Sequence, residues 1–125
     1  MTAVLELEER AFQGSGDVVA GWHGVCAVAD LEPGWGEAAL ISGRQVALFR
    51  TRAGEVFAVA HEDPATGAYV MARGITGSRG ARPTIASPLH KEVYDLATGE
   101  CLTAPGLRLA TFATRIVDGC IEVEL

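Results

Sequence analysis

The sequence predicts an all-β domain, and three observations carry this prediction. Most of the chain after residue 17 consists of short apolar runs separated by Gly, Pro and Asp residues, which is the pattern of strands and turns. Asp118-Gly119 separates two such runs, and this dipeptide favours the positive φ angles of a type I′ hairpin turn. Helical patterns in this part of the chain are weak, since only residues 28–31 and 68–72 suggest single helical turns.

The chain is predicted to divide into an N-terminal leader, residues 1–16, and a domain, residues 17–125. Residues 4–12 suggest a short helix in the leader. His23 and Cys26 have a spacing that occurs in metal sites, but no second pair lies near them. We therefore expect them to belong to the first strand of the domain.

Two hairpins are predicted in the body of the chain. Residues 44–50 and 55–60 are two strands joined by a turn, and the second strand is apolar on both faces, which indicates burial on both sides. Residues 112–117 and 120–125 flank the Asp-Gly turn, and the last strand alternates apolar residues with glutamates, as expected for a strand with one face in water.

Between residues 60 and 92 the strand pattern lapses and Gly and Pro are frequent. This predicts a loop of about 30 residues, a length that in compact domains usually indicates function or disorder. Tyr69, Val70, Met71 and Ile75 provide apolar anchors, so we expect the loop to be ordered and partly exposed.

The composition excludes several classes of function. Ten basic residues stand against sixteen acidic ones, for a net charge of −6, which argues against a nucleic-acid or anionic-membrane partner. No apolar run approaches the roughly 18 residues of a membrane helix, and the N-terminus lacks the basic and apolar regions of a signal peptide, so a cytoplasmic location is expected. Cys26, Cys101 and Cys120 are odd in number and widely spaced, and are expected to be free and buried.

Two polar segments follow predicted strands: His61-Glu-Asp-Pro-Ala65, and Ser87-Pro-Leu-His90, which continues into Tyr94-Asp-Leu-Ala-Thr-Gly99. Their placement resembles the two loops of the Rieske fold, which carry Cys-x-His and Cys-x-x-His. Those loops bind a [2Fe–2S] cluster, with two thiolates on one iron and two imidazoles on the other. The resemblance implies a Rieske-like fold of stacked antiparallel sheets, with a former cluster-binding subdomain at about residues 61–102.

The Rieske pattern places Asp63 and Ser87 at the cysteine positions, and Ala65 and His90 at the histidine positions. Of the four ligands, only His90 is kept. Alanine has no donor atom, and serine is a far weaker iron ligand than a thiolate. The resemblance therefore implies that this chain has lost the cluster, and we predict no catalytic, cofactor-binding or metal-binding residue in it.

Within Rieske-like proteins, the chain resembles the small subunit of bacterial assimilatory NAD(P)H-dependent nitrite reductase. The matching stretches are residues 22–34, 43–50, 63–68, 73–80, 86–91 and 94–102. The resemblance implies a non-catalytic subunit that supports a large subunit carrying FAD, an iron–sulfur cluster and sirohaem, which reduces nitrite to ammonium. A stand-alone binding module that keeps the fold is the alternative.

A partner interface is predicted from the same segments. Three arginines lie close together in the sequence of an otherwise acidic chain, in the predicted long loop. They suit docking on an acidic partner, although they also suit solvated loop charges. The predicted interface consists of Asp63, Pro64, Arg73, Arg79, Arg82, Ser87 and His90.

Three other functional interpretations of these segments have little support. Ser87 and His90 lack the Gly-x-Ser-x-Gly context of a hydrolase nucleophile. Residues 74–80 fit neither the Walker nor the dinucleotide-binding spacing. Glu62 and Asp63 are adjacent carboxylates, but in an exposed loop we expect their side chains to point apart.

Overall fold

The computed structural model describes residues 4–6 and 20–125. Within these residues it contains eleven strands and two short 3-10 helices, Val28–Asp30 and Met71–Arg73. The strands are β1 (Val4–Glu6), β2 (Trp22–Ala27), β3 (Gly36–Ile41), β4 (Arg44–Arg50), β5 (Val56–Ala60), β6 (Ile75–Arg79), β7 (Arg82–Ala86), β8 (Val93–Asp95), β9 (Thr111–Phe112), β10 (Thr114–Val117) and β11 (Cys120–Glu124). The predicted all-β class is confirmed.

The strands form three sheets. The central sheet has the order β1-β3-β4-β5-β9, and two smaller sheets have the orders β10-β11-β2 and β6-β7-β8. All neighbouring strands are antiparallel except β1 and β3, which pair in parallel. The described part of the chain is thus a stack of mainly antiparallel sheets, as the resemblance implied.

The central sheet is buried on both faces because its strands carry apolar side chains on both sides. Successive residues of a strand point to opposite faces. In β4, Ala47 and Phe49 pack toward the β6-β7-β8 sheet, in what we call the first core, together with Ile85 and Tyr94. The second core lies toward the β10-β11-β2 sheet and contains Val46, Leu48, Ile121 and Val123.

Both predicted hairpins are confirmed. Strands β4 and β5 pair antiparallel, and so do β10 and β11. Asp118 and Gly119 have φ angles of 52° and 76°, so both central turn residues adopt the positive φ that a type I′ turn requires. His23 and Cys26 lie in β2, the first strand of the domain, as predicted.

The predicted long loop between residues 60 and 92 is wrong in its central part. Residues 75–86 form the β6–β7 hairpin, with Gly80 at positive φ in the turn. Pro83 is tolerated within β7 because it pairs with Ser78 near the start of the strand, where no β6–β7 hydrogen bond needs its missing N–H.

The predicted helix over residues 4–12 is wrong where the structure describes it. Val4–Glu6 is strand β1, and it pairs with residues 38–40 of β3. The open edge of β3 offers backbone partners that a short isolated helix lacks. The rest of that predicted helix lies outside the described residues, and the division at residue 16 stays a prediction.

The cysteines are free thiols in unequal environments. Cys101 is buried, as predicted, whereas Cys26 and Cys120 are only partly buried. Burial, with a smaller contribution from the nearby Asp30 carboxylate, raises the pKa of Cys26 to about 11. The Cys26 thiol is therefore protonated and weakly nucleophilic at neutral pH. In the part of the chain that the structure describes, no helix is long and apolar enough to cross a membrane.

Candidate functional site: the two former cluster loops

A buried hydrogen bond joins the two loops that the Rieske resemblance singles out. The Ser87 hydroxyl donates to Oδ2 of Asp63 across 2.6 Å, although the two residues are 24 positions apart. Asp63 is 0% and Ser87 is 1% exposed. The two positions that the resemblance assigns to the cysteines thus contact each other directly.

The first loop is organised around Asp63. Its backbone N–H donates to the Ala68 carbonyl at 2.7 Å, and its carbonyl accepts from the Gly67 N–H at 2.7 Å. Its second carboxylate oxygen, Oδ1, accepts from the Ala65 N–H at 2.8 Å, which forms a local turn of the kind that Asp favours. The expectation of an exposed Asp63 is therefore wrong, whereas the adjacent Glu62 is exposed.

The second loop turns back on Ser87. The Ser87 N–H donates to the Glu92 carbonyl at 2.9 Å, and its carbonyl accepts from the Lys91 N–H at 3.0 Å. The Ser87 hydroxyl also accepts from the Leu89 N–H at 3.3 Å. These bonds leave Pro88, Leu89 and His90 exposed at the tip.

His61 anchors the first loop from the end of β5. The residue is buried, and its Nδ1 accepts a hydrogen bond from the Ala72 N–H at 3.1 Å. Its carbonyl accepts from the N–H groups of Val70 and Met71. Burial, and then the charge of Arg73, lower the pKa of His61, so the ring is neutral near pH 7. The sequence analysis missed this role, although a histidine that ends an apolar strand was a signal for it.

Tyr94 packs beneath the loops in the first core. It is fully buried, and its hydroxyl has no hydrogen-bond partner among the described residues. Burial, with smaller contributions from Cys101 and Asp63, raises the pKa of Tyr94 to about 12. The phenol therefore stays protonated, and its ring is part of the first core.

The donor set at the loops does not fit a [2Fe–2S] cluster. A Rieske cluster needs two thiolates and two imidazoles. Here the Asp63 carboxylate and the Ser87 hydroxyl are bonded to each other, and Ala65 offers no donor atom. Across residues 20–125, no group of three or more His, Cys, Asp or Glu side chains is arranged to hold a metal ion.

Only two of the three predicted interface arginines, Arg79 and Arg82, lie together. Arg82 is held in place by ion pairs with Asp95 at 2.6 Å and Glu100 at 2.8 Å. Arg79 lies opposite Arg82 at the tip of the β6–β7 hairpin, whereas Arg73 precedes the other end of β6, near His61. Arg73 and Arg79 are exposed.

The Arg82 ion pair stabilises the turn after β8. Burial by itself would raise the pKa of Asp95, but hydrogen bonds from Arg82 and from the N–H groups of Ala97 and Thr98 outweigh it and lower that pKa. Asp95 is therefore ionised at neutral pH. Arg82 is thus primarily a structural residue of the small sheet.

Comparison with known proteins agrees with this geometry. A family model described as a Rieske-like [2Fe-2S] domain matches residues 21–124. The nitrite reductase (NADH) small subunit of Salmonella typhimurium is 33% identical over 104 residues, which cover 82% of this chain and 96% of that protein. The chain belongs to the Rieske-like family of nitrite reductase small subunits.

Solved structures of the nitrite reductase small-subunit family share the fold. A crystal structure from Mycobacterium tuberculosis, assigned as an NADH-dependent nitrite reductase small subunit, superposes with a TM-score of 0.81 at 40% identity. The match covers 86% of this chain and 96% of that one. The predicted Rieske-like fold is confirmed.

A further relative is a much longer protein. The nitrite reductase [NAD(P)H] large subunit of Klebsiella oxytoca is 33% identical over 102 residues, which are 82% of this chain but only 11% of that protein. A domain of the nitrite reductase small-subunit family therefore forms part of a large-subunit polypeptide in that organism.

Proposed function

We propose that this chain is the small, non-catalytic subunit of a cytoplasmic NAD(P)H-dependent nitrite reductase that reduces nitrite to ammonium. The single observation that carries the proposal is its match to a nitrite reductase small subunit over 96% of that protein. The loop chemistry is consistent with a non-catalytic role, because Asp63, Ala65 and Ser87 cannot hold the electron-transfer cluster of a Rieske protein. The FAD, iron–sulfur cluster and sirohaem then belong to the large subunit.

The proposed partner is the nitrite reductase large subunit. In the Klebsiella oxytoca relative, a domain of this kind is covalently part of the large subunit. Covalent linkage raises the effective concentration of one module near another, into the millimolar range for short linkers. A separate chain needs a specific interface to reach the same association, so this chain is proposed to bind the large subunit directly. The same observation makes a stand-alone binding module the less well supported alternative.

The proposed interface includes the two former cluster loops and the segment from Arg73 to Arg82. Its members would act in different ways. Arg73, Arg79 and His90 are exposed and Pro64 is partly exposed, so these residues can contact a partner. Asp63 and Ser87 shape the loops from inside, and Arg82 holds the hairpin.

A binding experiment with the cognate large subunit tests this proposal. Arg73→Glu and Arg79→Glu are each expected to slow association and to change its salt dependence, as measured by surface plasmon resonance at two ionic strengths. Arg82 is left unchanged, since reversing its charge would leave the buried Asp95 carboxylate without its cationic partner. Arg115→Glu is the control, because it also reverses an arginine charge but lies on β10, in the β10-β11-β2 sheet, outside the proposed interface.

The outcome distinguishes the two functions. Equal affinity and association rate for Arg73→Glu, Arg79→Glu and the wild-type chain would place the interface elsewhere. If the wild-type chain does not bind the large subunit at all, the subunit proposal fails and the stand-alone binding module takes its place.

A further inference from the structure

Strand β6 forms an open edge of the small sheet. The sheet order is β6-β7-β8, and among the described strands β6 pairs only with β7. Its residues are exposed apart from the partly exposed Thr76, and Ile75 is 69% exposed. Edge strands of soluble proteins are usually protected by lysines, prolines, bulges or a covering segment. The sequence of β6, Ile-Thr-Gly-Ser-Arg, carries neither lysine nor proline.

The register shows which backbone groups of β6 are available for pairing. Ser78 lies opposite Pro83, which has no N–H, and the Pro83 carbonyl instead accepts from the Leu96 N–H at 3.0 Å. Ser78 and Pro83 are therefore a non-hydrogen-bonded pair, and in an antiparallel ladder such pairs alternate with bonded ones. Thr76, two residues earlier, occupies an equivalent position. The N–H and C=O groups of Thr76 and Ser78 thus point away from β7, toward the open edge.

A groove lined in part by apolar side chains lies beside the start of this edge. It has a volume of about 470 Å³, and its lining includes Trp35, Ala72 and Ile75 together with the polar Arg73 and Thr76. Trp35 is 46% exposed. The Thr76 hydroxyl donates to the Gly34 carbonyl at 3.1 Å, which fixes the position of β6 next to the groove. Exposed apolar surface of Trp35 and Ile75 therefore lies next to backbone groups of β6 that pair with none of the described strands.

The charge of the edge is opposite to that of the whole chain. The chain has a net charge of −6, yet Arg73 lies just before β6 and Arg79 is the last residue of β6. Neither arginine forms an ion pair with a described residue. Two further arginines, Arg50 and Arg52, line the adjoining cavity, where Glu55 is the acidic side chain present. A segment that binds at this edge would bind more tightly if it carried carboxylates opposite both ends of β6.

We infer that the open edge of β6 accepts an extended segment of the nitrite reductase large subunit as an additional strand. The segment hydrogen-bonds to the backbone of Thr76 and Ser78, places an apolar side chain in the Trp35–Ile75 groove, and directs acidic side chains at Arg73 and Arg79. Strand addition of this kind takes affinity from main-chain hydrogen bonds and specificity from neighbouring pockets. The inference rests on the proposed function and adds the mode of association to it.

Proline substitution at the edge tests the inference. Ser78→Pro removes the outward N–H but no β6–β7 hydrogen bond, so β6 is expected to tolerate it. The affinity of the Ser78→Pro variant for the cognate large subunit is expected to fall at least about tenfold. One main-chain hydrogen bond to the added segment is lost, and that segment cannot align along β6. Ser78→Ala keeps the N–H and is the matched control, with affinity expected within about twofold of wild type. Circular dichroism verifies that both variants are folded.

Hydrogen–deuterium exchange of the wild-type chain gives a second readout that does not depend on any variant. The Thr76 and Ser78 amides are expected to exchange rapidly in the free chain and at least about tenfold more slowly in the complex. The Gly77 amide, which belongs to a β6–β7 bonded pair, is the internal control.

Each contrary outcome has a distinct meaning. If the wild-type chain binds but the two amides and the Ser78→Pro affinity are unchanged, strand addition is overturned while the subunit proposal stands. If the wild-type chain does not bind, both are overturned. If exchange slows with chain concentration in the absence of the large subunit, a second copy occupies the edge, and the large subunit is not its occupant.

Discussion

The opposite ends of this molecule are stabilised by different interactions. The second core, between the central sheet and β10-β11-β2, is apolar, and Val46, Leu48, Ile121 and Val123 are each 0% exposed. At the other end, the two loops next to the first core are held additionally by polar bonds, chiefly the Asp63–Ser87 hydrogen bond and the His61–Ala72 hydrogen bond. Where a Rieske protein joins its two loops through a metal cluster, this chain joins them through one buried side-chain hydrogen bond. The framework and the loops should therefore respond differently to substitution.

Truncation in the second core should have the largest effect. Leu48→Ala is expected to lower the free energy of unfolding by about 3 kcal/mol, because it removes buried methyl groups and leaves a cavity. The loss should be global, and urea denaturation followed by circular dichroism measures it. Leu89→Ala, at the exposed tip of the second loop, should change the stability by less than about 0.5 kcal/mol. Comparable losses for the two variants would contradict the described burial.

Breaking the bond between the loops should have the next largest effect. Asp63→Ala is expected to lower the free energy of unfolding by about 2 kcal/mol, because the buried Ser87 hydroxyl and the Ala65 N–H lose their acceptor. Asp63→Asn keeps an acceptor oxygen and should cost less. Amide exchange should quicken in the two loops, while the central sheet stays protected. A loss below about 0.5 kcal/mol would show that the bond does not hold the loops.

Acidification should selectively weaken the His61 anchor. The pKa of His61 in the folded chain is below its ordinary value of 6.5, so the unfolded chain takes up the proton first. The contribution of His61 to stability is therefore complete above about pH 6.5 and is lost as the pH falls through the lower, folded pKa. Thermal denaturation from pH 7.5 to 5 should show this loss.

Two variants make the pH prediction specific. In His61→Asn, an amide oxygen can replace Nδ1 as the acceptor for the Ala72 N–H without titrating, so the loss of stability at acidic pH should shrink. His90→Asn, at the exposed loop tip, should leave the wild-type profile unchanged. An identical pH profile for wild type and His61→Asn would rule out the anchor.

The smallest effect is expected on the outer face of the β10-β11-β2 sheet. Arg115 pairs with Glu122 at 2.6 Å and lies over the Trp22 ring, but its side chain is 48% exposed. Arg115→Ala should therefore lower the free energy of unfolding by only about 0.5 kcal/mol, with the ion-pair part screened by salt. Urea denaturation at low and high ionic strength measures this, and a loss as large as that of Asp63→Ala would contradict the contrast between surface and buried polar bonds.

The sequence predicted those strands whose local chemistry is decisive. The Asp118-Gly119 turn determined the β10–β11 hairpin, and the apolar run of β5 indicated burial on both faces. Strand β3 was missed because Gly-Glu-Ala-Ala-Leu-Ile has weak strand propensity and no alternation. Strands β6 and β7 were missed because Gly77 and Pro83 are residue types typical of loops. Pro83 is acceptable in a strand only because of its pairing register opposite Ser78.

The sequence placed the candidate residues on two loops, but the contacts between them could not be predicted from it. The resemblance to Rieske loops identified Asp63 and Ser87, yet a hydrogen bond between residues 24 positions apart depends on the tertiary fold. The three arginines are close in sequence, but the β6–β7 hairpin separates Arg73 from Arg79 and Arg82. The ion pair between Arg82 and Asp95 likewise forms only because β7 and β8 are neighbours.

Isolation of the tagged chain under native conditions from nitrate-grown cells tests the central claim most directly. The eluate is examined for bound proteins, for sirohaem absorbance and for nitrite-dependent oxidation of NAD(P)H. If the chain is a nitrite reductase subunit, a sirohaem-containing large subunit and that activity will be recovered with it. Recovery of the chain alone, without either, would contradict the subunit function and leave a stand-alone module with the Rieske-like fold.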